Sequence, residues 1–173
     1  EAGESSAFSA IFIARDGSYL GWIGLRDGIR PEAAPALREL RGLRVRRLAM
    51  FTGDRAAVAA RVAAAVECPE HRAECLPEGK VAFVNEVRQA GYRVAVVGDG
   101  VNDAPALAAG DTGIAMGAAG SDVAIHSATI ALMNHDLRRV PFLIRLSHAA
   151  RAVVLQNIGV GLLFILGGLF LSG

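Results

Sequence analysis

The sequence predicts an α/β fold, a parallel sheet with helices on both faces, followed by one helix long enough to cross a membrane. Three observations carry this expectation. Short apolar and β-branched runs alternate with Ala-rich helical stretches, the pattern of doubly covered strands joined by crossover helices. Gly-containing turns bearing carboxylates, Thr52-Gly53-Asp54 and Gly98-Asp99-Gly100, close two of those runs. The last 22 residues, Ala152–Gly173, carry no charge. At about 1.5 Å per residue they span a bilayer core of about 30 Å.

Composition narrows the function classes. Eighteen Lys and Arg stand against seventeen Asp and Glu, a net charge of +1. That balance lacks the basic excess a nucleic-acid partner would want. A hydrophobic fraction of 53% and a mean hydropathy of +0.38 exclude a disordered chain and sit high for a purely soluble domain. Two cysteines are too few for a disulfide scaffold, which points to a reducing compartment. Glu1–Ser9 has neither the basic start nor the apolar core of a secretory signal. The chain opens on Glu1 and closes within its apolar stretch, so both ends are expected to be cut. Gly159, Gly161, Gly167 and Gly168 suit close helix packing in lipid. Arg138, Arg139, Arg145 and Arg151 precede the span and place that flank, with the α/β domain, on the cytoplasmic side of a plasma or inner membrane.

The elements follow in order. Phe8–Ala14 and Tyr19–Leu25 flank Asp16-Gly17-Ser18 and read as a β-hairpin, with Tyr19 and Trp22 on a packing face. Glu32–Arg41 reads as a helix with Pro31 near its first turn and Gly42 as its stop. Arg47–Phe51 is a short buried strand. Asp54 is placed to cap the helix Arg55–Val66. A second helix covers Pro77–Ala90 and ends at Gly91, and Arg93–Val97 has the look of a central parallel strand. Ala104–Ala109, Thr112–Met116, Ser121–His126 and Thr129–Met133 continue the alternation.

Open parallel sheets bind ligands at the carboxyl ends of their strands. The turns there carry phosphate and metal chemistry. Mg²⁺ prefers oxygen ligands and keeps several waters, which suits Asp99 with Asp103 one helical step on. Gly98 and Gly100 let the backbone turn tightly and approach a ligand. Asn102 and Thr52 can donate to phosphate oxygens, and Lys80, just after Pro77-Glu78-Gly79, can offset phosphoryl charge. Together these residues describe a Mg²⁺–phosphoryl site without a nucleophile, since no further Asp sits alone at a strand end.

Gly98-Asp99-Gly100-Val101-Asn102-Asp103-Ala104-Pro105 resembles the hinge signature of P-type ATPases. Thr52-Gly53-Asp54, Asp27-Gly28-Ile29-Arg30-Pro31 and Pro77-Glu78-Gly79-Lys80 are similar to further motifs of that family, in the same order along the chain. Met116–Ala124, Ala131-Leu132-Met133-Asn134, Pro141–Ser147 and Gln156-Asn157 resemble its heavy-metal-transporting branch. The resemblance implies a haloacid-dehalogenase-like Rossmannoid sheet. Residues 1–25 would be the last strands of a nucleotide-binding domain. Residues 26–137 would be the C-terminal part of the phosphorylation domain, and residues 138–173 a linker helix and transmembrane helix. It implies Mg²⁺ at Asp99 with Asp103 in support, and the phosphoryl group near Lys80, Asn102 and Asp103. ATP and the aspartyl phosphate would lie near Thr52, Gly53, Asp54, Gly98 and Gly100.

The implied activity is an ATP-driven heavy-metal pump cycling through an aspartyl phosphate. Its partners would be the transported cation, ATP, membrane lipid, and the actuator domain, phosphorylation loop and other membrane helices of the same pump. The family's Asp-Lys-Thr-Gly-Thr loop is absent, so the chain alone is expected to be inactive. Counting from Asn157, the copper branch's Tyr-Asn and the zinc/cadmium branch's Lys would fall near Phe164 and Ile165. Their absence leaves a cobalt-like or other divalent-metal branch. The alternatives are a soluble-type phosphatase of the same superfamily, which would need its own Asp loop and no span, and a non-catalytic membrane-anchored remnant of a pump.

Other residues read as structural. Cys68, His71 and Cys75 lack metal-site spacing and are expected to be loop thiols and a loop histidine. His126, His135 and His148 are scattered. Asp111 reads as a turn or cap residue, and Asp122 as a first-turn carboxylate.

Overall fold

A computed structural model describes residues 9–25, 28–99, 102–117 and 122–172. The chain divides into two compact units, Glu1–Arg30 and Pro31–Gly173. The first is an antiparallel hairpin of β1 (Ser9–Arg15) and β2 (Ser18–Leu25). Its two-residue turn puts Asp16 and Gly17 at φ 51° and 79°, the conformation an Asp-Gly pair favours because it matches strand twist. Phe12 and Tyr19 meet at 6.3 Å between ring centroids, and Trp22 is exposed.

The second unit alternates strand and helix as expected. Its elements are α1 (Ala33–Gly42), β3 (Ala49–Phe51), α2 (Ala56–Ala65), β4 (Glu70–Arg72), α3 (Pro77–Gln89) and β5 (Ala95–Gly98). They continue as α4 (Ala104–Ala109), β6 (Thr112–Met116), α5 (Asp122–Ser127), β7 (Ile130–Leu132) and α6 (Arg139–Ser172). Among the described residues of this unit all pairings are parallel: β3 with β4, and β5–β6–β7 in that order. Leu48, just before β3, packs both with Ala33, Ala63 and Val66 and with Leu40, Ile114 and Val140, so one side chain links the two apolar clusters.

Four local readings change. The segment between α2 and α3 is not all loop: β4 has the sequence Glu-His-Arg, which carries no apolar signal. Arg47 holds it to the start of β3 through two bonds of 2.7 Å to Glu70. Asp54 does not cap α2, whose N-cap is Arg55 without a side-chain bond. The Asp54 carboxylate instead accepts from the Thr52 hydroxyl at 2.8 Å. Gly42 lies inside α1, and the left-handed residue that ends it is Arg44, at φ 66°. Val45 N–H to Leu40 and Arg44 N–H to Arg41 complete that terminus. Finally, the apolar span is the far part of one continuous 34-residue helix, α6. Val140, Leu143 and Ile144 of its first turns pack on Leu40, and Arg145 pairs with Glu39. From Arg139 to Leu169 it is long and apolar enough to cross a membrane, with a mean hydropathy of 2.0.

Three carboxyls are held below the usual range. Arg47 does this to Glu70, the Val94 N–H and then Arg93 to Asp111, and Arg138 to Asp136. Each therefore releases its proton more readily folded than unfolded. Their stabilisation is complete above about pH 4–5 and lost as pH falls through the lowered folded values. Thermal melts of the chain should drop in midpoint from pH 5 to pH 3. Asp111→Asn should flatten that slope while leaving the higher-pH arm level; an unchanged slope would remove Asp111 from the account.

Candidate functional site

The site residues predicted from sequence stand at carboxyl ends of parallel strands and at the helix starts that follow. Thr52-Gly53-Asp54 follows β3 and is laced by backbone bonds to the end of β4 and the loop after it. Thr52 N–H donates to Arg72, Cys75 N–H to Thr52, and Glu74 N–H to Asp54. Within the turn, the Asp54 N–H also donates to the Thr52 hydroxyl at 3.1 Å. The Cys75 carbonyl lies 3.9 Å from where a side chain on Gly53 would begin. The same loop runs into Pro77, at the first turn of α3, which carries Lys80. One short connection thus braces the Thr-Gly-Asp turn and launches the lysine.

β5 ends at Gly98, and α4 begins after Asp103. Lys80 Nζ and Asp103 Oδ1 are 2.6 Å apart, with only 18% and 22% of the two side chains exposed. The Asp103 carboxylate also lies on Gly98. A Cβ built there would fall 2.6 Å from Oδ2 and 2.7 Å from the aspartate Cβ. Gly98 is therefore glycine for space: it is the floor on which the carboxylate rests. Asp99 and Asn102 are exposed beside this pair, while Gly100 and Val101 lie outside the described residues. Lys80, Gly98 and Asp103 are brought into contact, and Thr52 meets Asp54.

The donor set fits Mg²⁺. All candidate ligands are carboxylate, hydroxyl or amide oxygens, and among the described residues no three His, Cys, Asp or Glu side chains converge into an all-protein metal cage. One or two carboxylates completed by water and substrate phosphate is how Mg²⁺ is held at phosphoryl sites. The thiols do not compete. Cys68 is buried with Sγ near the Leu48 and Glu70 carbonyls, and burial pushes its thiol up, away from the thiolate form that binds metal.

A model of the haloacid dehalogenase-like hydrolases matches residues 3–111. The chain belongs to this family. Within it, the chain is 47% identical over 96% of its length to the manganese-exporting P-type ATPase of Mycobacterium tuberculosis. It is 46% identical, over the same share, to the zinc-exporting P-type ATPase of Mycobacterium marinum. It spans 23% of the length of each. The crystal structure of a zinc-transporting PIB-type ATPase in its E2.Pi state superposes with a TM-score of 0.73 at 41% identity, over 90% of this chain and 25% of that one. A structure of the catalytic domain of the CPx-ATPase CopB-B superposes with a TM-score of 0.61 at 26% identity, over 73% of this chain and 48% of that one. The motif resemblance to heavy-metal P-type ATPases thus extends over nearly the whole of this haloacid dehalogenase-like chain.

Sequence reasoning missed what supports the site. β4 supplies the carbonyl that holds Thr52, and Arg72 at its end lies 4.6 Å over the Phe83 ring, which packs on Phe51 at 4.4 Å between centroids. This fixes α3, and with it Lys80, against β3. The one available signal was topological: two successive helices in such a fold need a strand between them.

Proposed function

We propose that this chain is the phosphoryl- and Mg²⁺-handling part of an ATP-driven pump that exports a divalent transition-metal ion. The observation that carries the reading is the Lys80–Asp103 pair seated on Gly98 at the end of β5. A fixed ammonium beside strand-end carboxylates suits a phosphoryl group, whose charge Lys80 offsets while Asp103 keeps the lysine aimed. Asp99, exposed and beside the pair, would hold Mg²⁺ with Asp103 in support, and the ion would neutralise developing phosphate charge. Thr52 and Asn102 would donate to phosphate oxygens, and Gly53 and Asp54 would shape the turn near the nucleotide. Gly98 and Gly100 would let the backbone close on the phosphate. On this reading the phosphate acceptor would be an Asp of an Asp-Lys-Thr-Gly-Thr loop outside residues 1–173. Val97, 38% exposed on a strand whose sequence suits a sheet centre, supports a further strand against the open edge of β5. On this reading residues 1–25 complete a nucleotide-binding domain, residues 26–137 belong to the phosphorylation domain and residues 138–173 lead through the bilayer. The α/β unit then lies on the cytoplasmic side.

The names of the relatives, manganese- and zinc-exporting, favour a divalent cargo. In the full-length protein, ATPase activity should rise with Mn²⁺, Zn²⁺ or Co²⁺ rather than Cu⁺, and Asp99→Ala should abolish phosphoenzyme formation. The chain of residues 1–173 alone should hydrolyse no ATP with Mg²⁺. Normal phosphoenzyme in the Asp99→Ala protein would sink the Mg²⁺ assignment.

A further inference from the structure

Where α6 leaves the α/β unit, a groove of about 520 Å³ opens between it and the end of α1, lined by Leu43, Arg44, His148, Arg151, Ala152 and Leu155. The last four stand at i, i+3, i+4 and i+7, one face of the helix. Among the described residues, no carboxylate pairs with Arg44, His148 or Arg151, whereas the neighbouring Arg41 and Arg145 are engaged by Glu67 and Glu39. Arg44 also holds a left-handed backbone conformation, at φ 66°, that glycine adopts with less strain. That backbone conformation ends α1, and the Arg44 side chain lines the groove just beyond it. The groove is graded along α6: basic at His148 and Arg151, apolar at Ala152 and Leu155, where the charge-free stretch begins.

We propose that this groove seats the phosphate headgroup of an anionic phospholipid. Arg44 and Arg151 would clamp the phosphate, His148 would add a donor, and Leu43 and Leu155 would flank the upper acyl chains. A polar head and an apolar tail match the two ends of the groove, which a free phosphate would fill only at one. Basic clusters just outside a membrane span are attracted to anionic lipid by about 1 kcal/mol for each Arg or Lys. The proposal rests on α6 spanning the bilayer.

The chain is reconstituted in phosphatidylcholine nanodiscs with and without one quarter phosphatidylglycerol, and retained lipid is read by native mass spectrometry. Carbonate extraction reports insertion separately. Wild type should keep phosphatidylglycerol, and Arg44→Gln with Arg151→Gln should lower its retention about tenfold or more with insertion intact. Arg46→Gln with Arg61→Gln, exposed arginines on the α/β unit, should change nothing. Arg44→Gly should raise the melting temperature and still weaken retention, a combination a purely structural Arg44 would not give. Equal retention by the Arg44/Arg151 double variant, in a chain that is inserted, overturns the proposal. Displacement of phosphatidylglycerol by millimolar inorganic phosphate overturns the lipid source in favour of a soluble anion. A chain extracted by carbonate overturns the spanning reading, and the lipid site with it.

Discussion

Gly98→Ala should destabilise the α/β unit by about 1–3 kcal/mol and lower phosphoenzyme formation in the full-length protein about 100-fold. The added methyl would stand 2.6 Å from Asp103 Oδ2 and 2.7 Å from its Cβ. It therefore meets the root of the aspartate side chain as well as its flexible end. The carboxylate must leave the floor of the turn, and Lys80, bonded to it at 2.6 Å, loses its anchor. Neither strain nor a forbidden backbone angle explains the requirement, since Gly98 is not among the residues of positive φ. Denaturant unfolding of the chain and acid-stable phosphoenzyme in the full-length protein read the two effects. A variant with wild-type stability and activity would show that the contact with Asp103 can relax freely.

Lys80→Met should cost about 100-fold or more in turnover, with a stability loss of about 1–3 kcal/mol. The energetic range lies between that of an exposed pair, worth about 1 kcal/mol or less, and of a fully buried pair whose partner is left alone. With side chains 18% and 22% exposed, this pair is mostly shielded from water. A second variant separates the two roles. Lys80→Met combined with Asp103→Asn removes both charges and should recover most of the stability, because no unpaired carboxylate remains. Turnover should stay low, since nothing then faces the phosphoryl group. Recovery of activity together with stability would reduce the pair to a structural staple between α3 and the start of α4.

Much of this was legible because period and punctuation agree along the chain. The run Thr112–Met116 is apolar on both sides and became β6, with Ile114, Ala115 and Met116 buried. Pro77 and Gly91 frame α3 as first-turn proline and left-handed terminator. The strand-end turns were readable for the same reason, since glycine and carboxylate residues mark where a parallel strand stops. β4 was not legible. Its three residues, Glu70, His71 and Arg72, are polar, and its pairing depends on Arg47, twenty-three positions away from Glu70. The end of α1 was misread because left-handed conformations favour glycine statistically, while here Arg44 takes that place beside an in-helix Gly42.

The sequence by itself determined the α/β class, the order of nearly every element, the apolar span and the family of motifs. These depend on local periodicity and on residue types at short spacing, which the chain carries wherever it folds. Only the tertiary structure decided which members of those motifs touch. Lys80 and Asp103 are separated by 23 positions and by the whole of β5, and Gly98 acquires its meaning only because the Asp103 carboxylate lies where a Cβ would be. The same holds for Thr52, whose backbone N–H donates to the Arg72 carbonyl at the end of β4. Contacts of this kind are set by how helices pack back onto a parallel sheet, a non-local balance of close packing and charge that no linear spacing encodes.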